Sequence, residues 1–211
     1  MAKILTAERV SRDISDNYVF QRSQLAYHEA ARRISGDVLE IGTGAGYGIE
    51  IVAPHASSFL TLDKIEPAGE RPPFPHVEMR QAVVPPLDLP SGSFDYVISF
   101  QVIEHIKHDM ELVREVHRVL RPGGRLLVLE FSKPSSQMLS KFYDTYSFNF
   151  MPLMGKLITN DSESYRYLAE SIRMHPDQET LKAMMSEAGF ERTSYHNMTG
   201  GIVALHRGIK P

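Results

Sequence analysis

The chain has 211 residues, 42% of them hydrophobic and 23% charged, and its 23 basic and 26 acidic side chains leave a formal charge of −3. That is one domain with an elaboration at roughly 150 residues per domain, and its apolar content can fill a core. A slightly acidic balance argues against a nucleic-acid partner held by phosphate neutralisation, and the absence of cysteine excludes disulfides, thiolate zinc sites and cysteine nucleophiles. No apolar run approaches the ~18 residues of a membrane span, and Met1 to Arg12 lacks the apolar core of a signal peptide. A soluble cytoplasmic protein is expected, with peripheral contact with a membrane surface left open.

Leu25, Tyr27, Ala30, Ala31 and Ile34 recur at helical spacing and predict a helix over 17–34, closed by Gly36. Asp37 to Ile41 (DVLEI) reads as a short strand, followed by the glycine-rich turn Gly42 to Gly48 (GTGAGYG) and a short helix to about Val52. Phe59 to Leu62 makes a second strand, ending at Asp63. A Pro-rich loop over 65–75 leads to a third strand at Val77 to Gln81, and Pro85, Pro86 and Pro90 keep the next stretch irregular. Phe94 to Phe100 (FDYVISF) has the composition of a buried strand. Leu112, Val116, Val119 and Leu120 mark one face of a helix over 107–120, which Pro122-Gly123-Gly124 stops. Arg125 to Phe131 (RLLVLEF) is a further strand.

Beyond Phe131 the pattern changes. Met138, Leu139, Phe142, Tyr143 and Tyr146 form a helical stripe, a helix is expected around 162–172, and 132–175 reads as a helical insertion over the sheet edge. The stretch 176–188 is a helix with Pro176 early, Asp177 and Glu179 in its first turn and Gly189 at its end. Strands at 190–196 and 201–206 close the chain. Alternating strands and helices predict an α/β fold in a single domain: a Rossmann-like, mostly parallel seven-stranded sheet with helices on both faces and a helical lid. Binding residues then belong at the carboxyl ends of the strands, where strand order reverses.

In Val38-Leu39-Glu40-Ile41-Gly42-Thr43-Gly44-Ala45-Gly46, glycines at alternate positions let the backbone turn sharply and approach a ligand. The dinucleotide fingerprint G-x-G-x-x-G fails in both registers, because Tyr47 or Ile49 stands where its third glycine belongs. Glu40, just before the glycines, would repel a pyrophosphate; it can attract a cationic ligand or order the loop. Asp63, at the end of the next strand, can accept both hydroxyls of a ribose. An acid, alternating glycines and a second acid at the next strand end resemble the pattern of class I S-adenosylmethionine methyltransferases. The resemblance implies S-adenosylmethionine as cofactor, its ribose on Asp63 and its sulfonium and amino-acid part beside Gly42, Thr43, Gly44 and Gly46. It also places Lys64, Val83, Phe100 and Gln101 along the cofactor.

The stretch from Phe94 to Ile106 resembles the fourth-strand motif of these enzymes, and Leu120 to Leu127 their turn into the fifth strand. The last third is more specific. Leu129-Glu130-Phe131-Ser132-Lys133-Pro134, Tyr143 to Phe148, Ser164 to Arg173, Ala188-Gly189-Phe190 and Thr199 to Gly208 resemble, in order and spacing, the ubiquinone/menaquinone-biosynthesis C-methyltransferase family over about 80 residues. The likeness upstream is that of the wider superfamily. That family carries Arg-Asn after the fourth strand where this chain has Glu104-His105, and commonly Thr where it has Ala45.

The implied reaction is C-methylation of a demethylmenaquinol- or ubiquinol-type ring. Losing the phenolic proton raises the nucleophilicity of a ring carbon, so a general base helps by roughly 10²–10⁴-fold. His105 suits this role, with Glu104 to orient it or to serve itself. Phe142, Tyr143 and Tyr146 would cover a greasy ring. His105 and His108 lack a clear third ligand, so no metal is expected. Three alternatives stay open: methylation of nitrogen or oxygen on another small molecule, a non-catalytic S-adenosylmethionine-binding module in a complex, and, more distantly, a nicotinamide dehydrogenase. The oligomeric state stays open, a homodimer included.

Overall fold

The computed structural model describes residues 17–65, 72–134, 136 and 176–211. Along the chain lie α1 (Asn17–Ala31), β1 (Asp37–Ile41), α2 (Tyr47–Val52), β2 (Ser58–Asp63), β3 (Val77–Gln81), β4 (Phe94–Phe100), α3 (Asp109–Val119), β5 (Leu120–Phe131), α4 (Gln178–Glu187), β6 (Glu191–Met198) and β7 (Val203–Ile209). The strands form one sheet in the order β3-β2-β1-β4-β5-β7-β6. The first five run parallel, and β7 pairs antiparallel to both β5 and β6. This is the doubly wound architecture expected, with strand order reversing between β1 and β4.

Side chains alternate across the strands and divide the core in two. Leu39 and Ile41 of β1, Val97 of β4 and Leu126 and Val128 of β5 pack with Leu112, Val113 and Val116 of α3 and Leu181 and Met185 of α4. Val38, Phe59, Tyr96, Ile98, Leu127 and Leu129 point to the opposite face and pack with Ala26, Tyr27 and Ala30 of α1 and Ile49 and Val52 of α2. The same alternation puts the acid Glu40 on the α1 face and the acid Glu130 on the α3 face.

Several boundaries differ from the sequence reading, each for a local reason. α1 ends at Ala31, and Leu25 is 48% exposed. Its place in the buried stripe is taken by Ala26, which stands one turn before Ala30. α3 stops at Val119 because Arg121 precedes proline and is pushed toward extended backbone. The strand ladder therefore already begins at Leu120, opposite Phe94. Asp177 is the N-cap of α4, its carboxylate accepting the Thr180 N–H at 2.9 Å, so Pro176 precedes the helix. The expected insertion over 132–175 and its helix at 162–172 lie almost wholly outside the described residues.

At the amino ends of β1 and β4 the Arg121 guanidinium bridges Asp95 at 2.6 Å and Asp37 at 2.7 Å. At the opposite end α1 meets α2 so closely that a Cβ on Gly48 would lie 2.2 Å from the Tyr27 ring. Gly48→Ala must displace that ring or part the helices. We expect a loss of roughly 1–3 kcal/mol in denaturant unfolding, the usual cost of overpacking.

Candidate functional site

β1 ends at Ile41 and the chain turns through Gly42 and Gly44, whose φ angles are +90° and +55°. A Cβ at Gly42 would come within 2.2 Å of Val102 Cγ2, so only glycine lets this turn rest against the loop after β4. The turn is tied to β2. Gly42 and Thr43 donate their N–H groups to the Leu62 carbonyl at 2.7 and 3.2 Å. Gly44 donates to Asp63 Oδ2 at 2.8 Å, and Ile65 donates to Asp63 Oδ1 at 2.9 Å. A carboxylate oxygen accepts two hydrogen bonds, so Asp63 is fixed in place yet keeps acceptor capacity.

These elements frame a cleft of about 270 Å³ beside the reversal of strand order. Of the residues expected at the cofactor, Gly42, Thr43, Gly44, Asp63, Lys64, Val83, Phe100 and Gln101 line it, and His105 lines it as well. Phe100 is held edge-to-face by Tyr27, their ring centres 4.9 Å apart. Gln101 turns into the cleft at a φ of +59°, its N–H bound to the Leu129 carbonyl at 2.7 Å. A non-glycine residue at such an angle is strained, a feature that clusters at ligand sites. Val83 stands 78% exposed at the wall.

Glu40, Gly46 and Glu104 stand behind the lining. Gly46 caps α2 at a φ of +80°. Glu40 is buried and accepts hydrogen bonds from the Tyr27 hydroxyl and the Thr61 hydroxyl, both at 2.7 Å. With its proton committed to Glu40, Thr61 accepts in turn from Thr43. Of the two roles open to Glu40, the structure shows the ordering one: it joins α1, β2 and the glycine turn. Burial raises its carboxyl from 4.5 to about 7, against the pull of the Thr61 and Tyr27 hydroxyls and with a further push from the Asp63 charge. The Tyr27 hydroxyl is driven well above the usual phenol range, chiefly by burial and then by Glu40.

The second candidate group follows β4. Ile103–His105 forms a single 3₁₀ turn. His105 Nε2 lies 3.5 Å from Glu104 Oε1, and the Glu104 side chain is 1% exposed. Beneath them Glu130, fully buried on β5, accepts the Val102 and Ile103 N–H groups at 3.0 and 2.9 Å through Oε1. Its carboxyl is pushed well above the usual range by burial and then by the Glu104 charge.

Glu130 is the residue that reading for function missed. Its signal was a single acid inside an apolar strand run. Tyr27, one of the apolar-face residues of the predicted first helix, also holds Glu40 through its hydroxyl. Phe142, Tyr143 and Tyr146 lie outside the described residues. Among the described residues no group of three His, Asp or Glu side chains is placed to hold a metal.

The fold is that of solved S-adenosylmethionine-dependent methyltransferases. One from Mesorhizobium loti superposes with a TM-score of 0.63 at 17% identity, over 88% of this chain and 98% of its own. The phosphoethanolamine N-methyltransferase 2 of Haemonchus contortus, solved with S-adenosyl-L-methionine, superposes with a TM-score of 0.63 at 16% identity, over 90% and 52%. The chain belongs to the ubiE/COQ5 methyltransferase family, whose model matches residues 61–210. The family likeness thus reaches upstream of residue 129, to β2, while the glycine turn precedes it. The ubiquinone/menaquinone biosynthesis C-methyltransferase UbiE of Pseudomonas aeruginosa (strain LESB58) is 68% identical over 136 residues, 64% of this chain and 53% of that protein. The chain spans about half the length of the curated relatives it matches.

The raised Glu40 carboxyl has a definite thermodynamic sign. A folded-state pKa above the unfolded one favours the folded protein fully below about 4.5, and this contribution is lost as pH rises through about 7. Parent stability should therefore fall relative to Glu40→Gln between about pH 5 and about pH 8, by on the order of 2–3 kcal/mol. Urea unfolding of both proteins at the two pH values checks this; parallel stabilities would refute the burial of a titrating carboxyl.

Proposed function

We propose that the chain binds S-adenosylmethionine in this cleft and directs its methyl group to a carbon of a quinol-type aromatic ring. The observation that carries the reading is Asp63. Its carboxylate is locked to the glycine turn by Gly44 and faces the cleft with acceptor capacity to spare, which suits a vicinal diol. The cleft wall fits the same ligand: Val83 offers an apolar surface to a base ring. The Pseudomonas relative, a ubiquinone/menaquinone biosynthesis C-methyltransferase, supports the acceptor class.

When bound, the sulfonium supplies an already activated methyl. The chain's own task is then to align the acceptor atom about 3–3.5 Å from that methyl and to exclude water. Gly42, Thr43 and Gly44 set the depth at which a ligand can sit, and Phe100 and Gln101 form the wall toward β4. His105 is positioned to take a proton from the acceptor hydroxyl, with Glu104 as its negative partner. Phe142, Tyr143 and Tyr146 are assigned to the apolar side of the acceptor site. A quinol with a long apolar tail partitions into lipid, so the protein would meet it at a membrane surface. Among the described residues no helix is long and apolar enough to cross a membrane. Glu104-His105 at the position where the family carries Arg-Asn favours one second reading, transfer to nitrogen or oxygen of another small molecule.

Calorimetry with S-adenosylmethionine tests the cofactor half; no heat of binding would end the reading. Asp63→Ala should weaken binding by about 1–3 kcal/mol through loss of charge-assisted hydrogen bonds, and unchanged affinity would reject the ribose assignment. Incubation with demethylmenaquinol and isotopically labelled cofactor tests the acceptor half. A product with the label on a ring carbon by NMR is expected; label on oxygen would move the assignment to the second reading.

A further inference from the structure

The turn that carries His105 into the cleft is seated on a buried acid. Glu130 continues the row Leu126–Val128 of β5, on the face that packs against α3, and is wholly inaccessible to solvent. An acid there is costly unless it is met by donors. Two are supplied by the backbone, since Glu130 Oε1 takes both the Val102 and the Ile103 N–H groups. Its second oxygen, Oε2, is buried and meets no donor among the described residues, and the neighbouring group that acts on it is another carboxyl, Glu104. Two carboxyl groups in contact in a dry interior do not both ionise; they hold one proton between them. Glu104 has His105 Nε2 at 3.5 Å, a partner that favours its ionised form, whereas Glu130 has no cation beside it in that network among the described residues. The proton is therefore assigned to Glu130, the direction in which burial also moves it, and the negative charge to Glu104.

We propose that Glu130 is a positioning residue of the site: by anchoring the 103–105 turn and carrying the shared proton, it keeps Glu104 charged beside His105 and so strengthens His105 as a base. The proposal rests on the methyl-transfer reading for its purpose. Other titratable groups reach the same cleft: Asp63 and Lys64 from the end of β2, Tyr27 from α1 and Tyr47 from α2. Lys107 and His108 follow His105 on its own loop. Glu130 is tied to the turn directly, by the two N–H bonds at its Oε1. Glu130 therefore acts through Glu104 and touches neither ligand.

The test is the titration of the His105 ring, followed by NMR on protein labelled at histidine, in the parent, Glu104→Gln, Glu130→Ala and Glu130→Gln. Removing the Glu104 charge directly should lower the ring's midpoint by about one unit or more. Glu130→Ala should lower it similarly, because an unsupported Glu104 takes up the proton itself. Glu130→Gln should leave it near the parent's, since the amide N–H replaces the shared proton and the amide oxygen still accepts from Val102 and Ile103. A ring that titrates like the parent's in Glu130→Ala, or that falls as far in Glu130→Gln as in Glu130→Ala, overturns the proposal. Should the alanine variant not fold, the infrared difference between parent and Glu130→Gln decides. Glu40 contributes to both proteins and cancels; a protonated-carboxyl band left in the parent-minus-glutamine difference near neutral pH supports the shared proton, and a difference without it refutes it. The acid limb of the kcat/KM profile should move with the ring's midpoint. Neither spectroscopic readout needs cofactor or turnover, so calorimetry with S-adenosylmethionine reports on the functional reading separately.

Discussion

A carboxyl group taken out of water must be met by donors, and two such groups stand at the carboxyl ends of central strands, one on each face of the sheet. Glu40 ends the α1 face of β1 and collects the Tyr27 and Thr61 hydroxyls. Glu130 ends the α3 face of β5 and collects the Val102 and Ile103 N–H groups. Each acid draws a loop or helix over the strand ends that would otherwise be open. The cleft lies between the two constructions. An apolar residue at either position would leave its donors buried and unpaired, which costs about 1–3 kcal/mol per group. Such an asymmetry makes each acid an organiser of its neighbours even though its own burial is unfavourable.

The reversal of strand order supplies the room, and close backbone approach sets its shape. At the glycine turn Gly42 packs against Val102 with no space for a Cβ. That contact joins the loop after β1 to the loop after β4, the two loops that diverge at the switch point. Asp63 joins the same turn to β2 through Gly44. Three successive strand ends are thus cross-linked by polar or steric contacts before any ligand is present. A site so preorganised loses little further freedom on binding. The expense falls on backbone angles, at the glycines and at Gln101.

Most of the fold was readable from period and punctuation. β1, β3 and β4 occupy the spans that alternation and composition indicate: glycines flank β1, Ser93 and Gln101 flank β4, and His76 precedes β3. Helix ends were harder. The pre-proline restriction at Arg121 acts two residues earlier than the visible Pro-Gly-Gly signal, and Asp177 proved a cap because its side chain meets Thr180. Leu25 shows the limit of reading apolar residues alone: two alanines, Ala26 and Ala30, hold the buried face against α2 and the sheet, and the larger leucine faces outward. At the site, the glycine turn and Asp63 were visible because their chemistry is written in local spacing. Glu130 was not, since its meaning depends on Glu104, 26 residues away in sequence and brought beside it only by the pairing of β4 with β5.

The same dependence on strand pairing governs how the two halves of the site combine. The segment that matches the family model begins at Thr61, within β2, so β1, Glu40 and the glycine turn precede it, while His105, Glu104 and Glu130 lie inside it. What unites them is the parallel pairing of β1 with β4, in which Val38 faces Tyr96 and Ile41 faces Ser99. A slip of one residue would turn Glu40 toward the α3 face, away from Tyr27 and Thr61. It would also carry Gly42 off Val102. The register is held from the far end, where Arg121 grips Asp37 of β1 and Asp95 of β4 together and Asp95 accepts the Asp37 N–H at 2.8 Å. Charge at the amino ends of the strands thus aligns the chemistry at their carboxyl ends, through a core whose alternating rows tolerate no other alignment.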